Sequence, residues 1–281
     1  MKFFKTLIFI LIFSNAPNSY SQFSPPELYS KGLEKFYSGD FQEAVKFFTD
    51  YINVATNLVN GYNYRGLSFL AMNNYTRALE DFTSIIAMNN SNYEAYTNRG
   101  YTYYLQGNFS SANADFVNSI QYGPNYLEGY IGKCRVNIAT NNLNLALKDM
   151  NSASGVEPKN PRVYINNAFI YFLMNDTLKF FENINTALYF DSNIVFTSFE
   201  RDLIFLKVEI YKRILVTADA AVQNNPNDFV AYFARGFLYY LMNRYSEATD
   251  DLKTSVKLNK INNPLYINTV KILLRSIDRN S

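Results

Sequence analysis

Tyr96–Pro124, YTNRGYTYYLQGNFSSANADFVNSIQYGP, carries a pattern that recurs along the chain. Counting in steps of 34 from Gly100 lands on Gly66 and Gly32 in one direction, and on Cys134, Ala168, Asp202 and Gly236 in the other. All but Asp202 are small. The same step from Ala112 gives Ala44, Ala78, Ala146 and Ala248, with Phe180 and Ile214 as exceptions, and from Phe116 it gives Phe48, Phe82, Met150, Ile184, Ala218 and Leu252. Several positions that keep one period of this length define stacked helix-turn-helix units.

Seven units follow, starting at Pro25, Val59, Tyr93, Leu127, Pro161, Val195 and Phe229. Position 4 is aromatic in five of them, Tyr62, Tyr96, Tyr130, Tyr164 and Tyr232, one helical turn before the small residue at position 8. Position 15 is Gly39, Asn73, Gly107, Asn141, Asn175, Glu209 or Asn243, and all but Glu209 tolerate the left-handed backbone that ends one helix and starts the next. The sixth unit also has Asp202 in the small slot, so a distorted or continuous helix is expected there.

These residues resemble the tetratricopeptide repeat over about residues 25–262, although the tryptophan of that pattern is missing and its proline survives only as Pro124, Pro158 and Pro226. The resemblance implies an all-α, right-handed α-solenoid. Where that pattern has a leucine at position 7, this chain has Lys31, Arg65, Arg99, Lys133, Asn167, Arg201 or Arg235. Sixteen residues on, four units carry an acid, which predicts the pairs Arg65–Asp81, Arg99–Asp115, Lys133–Asp149 and Arg235–Asp251. The unit with Asn167 has lost the acid too, with Asn183 in its place.

The chain is expected to divide into residues 1–21, 22–262 and 263–281. The first part, MKFFKTLIFILIFSNAPNSYS, has two lysines, an apolar run from Leu7 to Phe13 and small residues at its end, as in a secretory signal peptide. Its apolar run is far short of the ~20 residues of a spanning helix, so no stable membrane span is expected after cleavage. The protein is therefore read as exported, to a bacterial periplasm or beyond. The last part, PLYINTVKILLRSIDR from Pro264, places Tyr266, Val270, Leu273 and Ile277 on one face, as a capping helix requires.

Without the first part, 24 basic side chains face 24 acidic ones, which gives no basic excess for nucleic acid. The chain has no histidine and one cysteine, Cys134, so a triad base, a disulfide and the common zinc ligand sets are missing. An enzyme and a cofactor are not expected. Cys134 falls in the small slot and is read as buried.

Binding is the remaining function class, with another protein or a peptide as partner. The resemblance implies that positions 2, 5, 9 and 12 of each first helix line an inner groove. Position 5 supplies Tyr29, Asn63, Thr97, Phe199 and Phe233, position 9 Tyr101, Arg135, Phe169 and Phe237, and position 12 Tyr104, Phe172 and Tyr240. Arg135, Arg162 and Lys207 are candidate orienting charges. Such aromatic stripes also pack as core between helices, and the exposed fraction decides between the two. Alternatives are a glycan or small ligand on the same face, and a structural subunit of an envelope assembly.

Overall fold

The computed structural model describes residues 23–190, 204–260 and 264–280. It holds fourteen helices and no strand among them. Six antiparallel hairpins are formed by α1 (Pro25–Tyr37) and α2 (Phe41–Val54), α3 (Val59–Ala71) and α4 (Tyr75–Met88), α5 (Tyr93–Leu105) and α6 (Phe109–Tyr122), α7 (Leu127–Ala139) and α8 (Leu143–Val156), α9 (Pro161–Leu173) and α10 (Thr177–Phe190), and α12 (Phe229–Leu241) and α13 (Tyr245–Leu258). Between the fifth and sixth hairpins lies a single helix, α11 (Ile204–Asn224), and α14 (Pro264–Asn280) ends the stack. The architecture is an α-solenoid.

The turn inside each hairpin is set by two adjacent residues. Gly39, Asn73, Gly107, Asn141, Asn175 and Asn243 all have positive φ, between 57° and 82°. Each closes the first helix with a Schellman pair of bonds, such as Gly39 N–H to the Phe36 carbonyl and Asp40 N–H to the Lys35 carbonyl. The next residue then starts the second helix. Asp40, Asn74, Asn108 and Asp176 accept a backbone N–H three residues on and so satisfy a donor that the helix leaves open. Glu209 lies within α11, where the helix runs on without a turn. The sixth unit is thus one continuous helix over its described part, and residues 191–203 lie outside the described residues.

Position 8 is small because a ring lies across it. A Cβ on Gly32, Gly66 or Gly100 would stand 2.6, 2.8 or 3.0 Å from the ring of Phe48, Phe82 or Phe116, the residue sixteen further on in the same hairpin. The two positions trade volume along the chain, with Cys134 and Met150, then Ala168 and Ile184, replacing glycine and phenylalanine. Close packing leaves no room for both to be large.

At the C-terminal end the stack folds onto itself. α14 packs on both α13 and α10. Tyr266, fully buried on α14, lies 5.1 Å from the rings of Phe181 and Phe229 and 5.6 Å from that of Phe233, and its hydroxyl donates to Ser255 Oγ at 2.6 Å. Burial pushes its phenol up to about 12. Phe169 of α9 meets Phe237 of α12 at 6.3 Å, and Phe180 and Phe181 of α10 meet Phe233 at 5.7 and 5.0 Å. The fifth hairpin therefore packs directly on α12.

Tyr266→Ala is expected to destabilise the protein by about 3–5 kcal/mol, the cost of removing a buried ring, and Tyr266→Phe by about 1 kcal/mol for the lost hydrogen bond. Urea unfolding followed by circular dichroism measures both; equal losses would contradict the packing role of the ring.

Candidate functional site

All four predicted ion pairs form. Arg65 and Arg99 each grip their aspartate with two nitrogens, at 2.9 and 2.7 Å for Asp81 and 2.8 Å twice for Asp115. Arg235 holds Asp251 at 2.6 and 2.8 Å, and Lys133 reaches Asp149 at 2.5 Å. The aspartates are buried and the bases largely so.

Each arginine has a further function that spacing alone does not reveal. Its remaining nitrogen bonds a side chain on the helix before it: Thr49 of α2 for Arg65, Thr83 of α4 for Arg99 and Asp219 of α11 for Arg235. Its face also lies over the position-4 ring, Tyr62, Tyr96 or Tyr232, at 5.2 to 5.6 Å. Lys133 is a point charge without that fork, Val117 stands in sequence where Thr49 and Thr83 do, and Asn137 supplies the second bond to Asp149. The ladder thus joins repeats as well as helices. The Asp115 hydrogen bond keeps Arg99 more basic than usual against the opposing effect of burial, and Asp251 does the same for Arg235.

The position-4 tyrosines have a second role: Tyr96, Tyr130 and Tyr164 donate to the carbonyls of Asn90, Pro124 and Pro158, and so pin the loop between repeats.

The groove residues fall into three groups. Thr97, Tyr101, Tyr104, Arg135, Phe169, Phe233, Phe237 and Tyr240 are buried, which corrects the expectation that they face an open groove. The causes differ along the stack. Phe169, Phe233 and Phe237 are core because the fifth hairpin meets α12, and Tyr240 is covered by α14, its hydroxyl 2.8 Å from Ser276 Oγ. Tyr104 packs on Phe109, and Thr97 bonds Ser119 Oγ at 2.7 Å. Tyr101 and Arg135 belong to a polar seam across three repeats. Tyr101 Oη donates to Glu128 Oε2 at 3.1 Å, Arg135 Nη1 donates to Tyr101 Oη at 3.2 Å, and Arg162 pairs with Glu128. Burial raises the Tyr101 phenol far above its ordinary value, so it stays a donor. Arg135 and Arg162 therefore tie neighbouring helices together. Glu128 was missed in the sequence, yet Glu128 and Arg162 stand at position 2 of successive units, opposite charges one period apart.

Tyr29, Asn63, Arg162 and Phe172 are half-buried, and Phe199 and the Lys207 side chain lie outside the described residues. Among the described residues, the inner face is least covered at the N-terminal end. On α1, Tyr29, Leu33 and Tyr37 form one stripe, and Tyr37 is 52% exposed. Tyr64 of α3 stands beside them, 6.0 Å from Tyr29, 5.4 Å from Phe36 and stacked on Phe48 at 5.7 Å. Asn63 accepts from Asn98 at 2.9 Å on the same face. A separate cleft of about 680 Å³ opens between α10 and α14, beside the exposed Tyr189.

Chemistry finds little support here. Among the described residues no three His, Cys, Asp or Glu side chains converge on a metal position, and no helix is long and apolar enough to cross a membrane. Cys134 is fully buried, and burial pushes its thiol well above the usual range, which makes it an inert core side chain.

A stack of helical hairpins with a common pitch is an α-solenoid of the helical-repeat class. Residues 65–121 match the tetratricopeptide repeat family model. The fold is similar to that of a thermophilic tetratricopeptide repeat protein of Thermus thermophilus, with 14% identity over 66% of this chain and 98% of that one at a TM-score of 0.53. A tetratricopeptide repeat protein of Parabacteroides merdae is similar over 90% of this chain and 98% of its own, with 16% identity and a TM-score of 0.51. No curated protein matches. Residues 65–121 are thus tetratricopeptide repeats, and the other described hairpins share their fold.

Asp115→Asn is expected to cost about 3 kcal/mol, because it leaves a largely buried guanidinium without its counter-charge, whereas Thr83→Ala should cost about 0.5–1 kcal/mol. Thermal unfolding of the two variants measures the difference; equal effects would remove the buried pair as the main fastening.

Proposed function

We propose that this protein is a non-enzymatic interaction scaffold of the bacterial envelope or secreted space, which holds a peptide segment or a partner helix against the inner face of its first two repeats. The observation that carries this reading is the stripe of Tyr29, Tyr37 and Tyr64 with Asn63 beside it, aromatic rings and an amide gathered on the inner face of the first two repeats. Rigid tyrosines supply contact area at low entropic cost and a hydroxyl for orientation, and the amide of Asn63 adds a donor for a main-chain carbonyl. The tetratricopeptide architecture supports a protein partner in general. The location rests on the N-terminal lysines, apolar run and small residues.

Two measurements test this. Photo-crosslinking from position 37 in intact cells is expected to give a discrete adduct with one partner, and Tyr29→Ala with Tyr64→Ala should weaken its capture by about 2 kcal/mol or more, as for central aromatic anchors. An adduct that forms equally from Leu145, an exposed position far along the stack, would oppose the assignment. The N-terminus of the protein recovered from the envelope fraction should be Gln22; an intact Met1 in the soluble cell fraction would reject export.

A further inference from the structure

The fastenings that recur through the stack fail together at one place. In the fifth hairpin position 7 is Asn167 on α9 and its partner position is Asn183 on α10, so the ion pair is missing, and with it the base that elsewhere reaches back to the preceding repeat, here across the α8–α9 junction. Asn183 turns back and donates to the carbonyl of Lys179 in its own helix, and Asn167 Oδ1 is buried without a hydrogen bond. Asn151, at the place from which Thr49 and Thr83 bridge to the next repeat, is exposed. The ring that lies over the small slot is replaced by Met150, and the buried cluster that spans the junction contains no aromatic residue. The clusters on either side are rich in rings. Among the junctions within the first five hairpins, this one is packed most thinly.

One strong contact remains across it. Glu128 of α7 pairs with Arg162 of α9, and Tyr101 and Arg135 brace the carboxylate from behind. Arg162 and Asn167 lie on different sides of α9, so the inner side of the junction is fastened and the ladder side is not.

We infer that the α8–α9 junction is a hinge, with the Glu128–Arg162 bridge as its pivot, about which the first four hairpins change their angle to the C-terminal core. A packed interface with one buried ion pair and no second fastening resists separation but not rotation about that pair. The motion alters how the accessible inner face of the first repeats is presented relative to the closed C-terminal end. It goes beyond the proposed binding function and stands without it.

Distances between spin labels test this on the full chain. Thr76→Cys with Leu178→Cys spans three junctions that include α8–α9, and Gln42→Cys with Asn144→Cys spans three without it, each leading into a hairpin that keeps its ion pair, from the same position in the repeat; all four residues are exposed. Cys134 is buried and does not compete for label. The distance distribution across α8–α9 is expected to be wider than that of the control pair. Asn167→Arg with Asn183→Asp, which restores the ladder, should narrow it to the control width, and Glu128→Gln should widen it further. A distribution as narrow as the control in the unmodified protein would overturn the hinge. So would one that Asn167→Arg with Asn183→Asp leaves unchanged, and this second variant keeps the test valid if Glu128→Gln fails to fold.

Discussion

The stack depends on the approach of a ring to a backbone. Where Gly32, Gly66 and Gly100 lie under Phe48, Phe82 and Phe116, the two helices of a hairpin are close enough that a single added carbon would collide. That contact sets the distance between the helices, and the distance in turn lets a base at position 7 reach an acid sixteen residues away. Dispersion attraction is small per atom pair but adds up over a ring pressed flat against main chain. The ionic ladder then selects the register, because a slip of one residue would leave a buried carboxylate without its guanidinium.

Polar side chains on the inner side follow the same economy of space. Tyr101, Glu128, Arg135 and Arg162 would each be costly to bury alone, and together they bond one another across three repeats. Further along, the inner side is filled by rings, where the fifth hairpin meets α12 and α14.

Much of this was legible in the residues themselves. The turns were, because a positive φ restricts position 15 to glycine or asparagine, and six of the seven positions obey. The ion pairs were, because both members keep the period and are lost together at Asn167 and Asn183. The burial of Phe169, Phe233 and Phe237 was not, since periodicity tells which helix face a residue occupies and not whether a distant segment returns to cover it. Contacts of α10 with α14 join parts of the chain that a regular solenoid would keep apart. The role of Glu128 could have been found from Arg162 one period on, but a charge at a groove position reads equally well as a ligand contact.

That return contact divides the protein by the order in which it can form. The first four hairpins touch mainly their immediate neighbours, so each can settle as soon as the next has been synthesised, and their loop-closure entropy is paid in small local steps. The core around Phe181, Phe233 and Tyr266 has to wait for the last helix, because its pieces come from α10, α12 and α14. Until α14 arrives, several large rings have no cover, and this is the stage at which an unfinished chain is most exposed to aggregation. The C-terminal helix thus sets the pace of maturation: the N-terminal half assembles by nearest-neighbour growth, while the C-terminal half condenses in one late, non-local event.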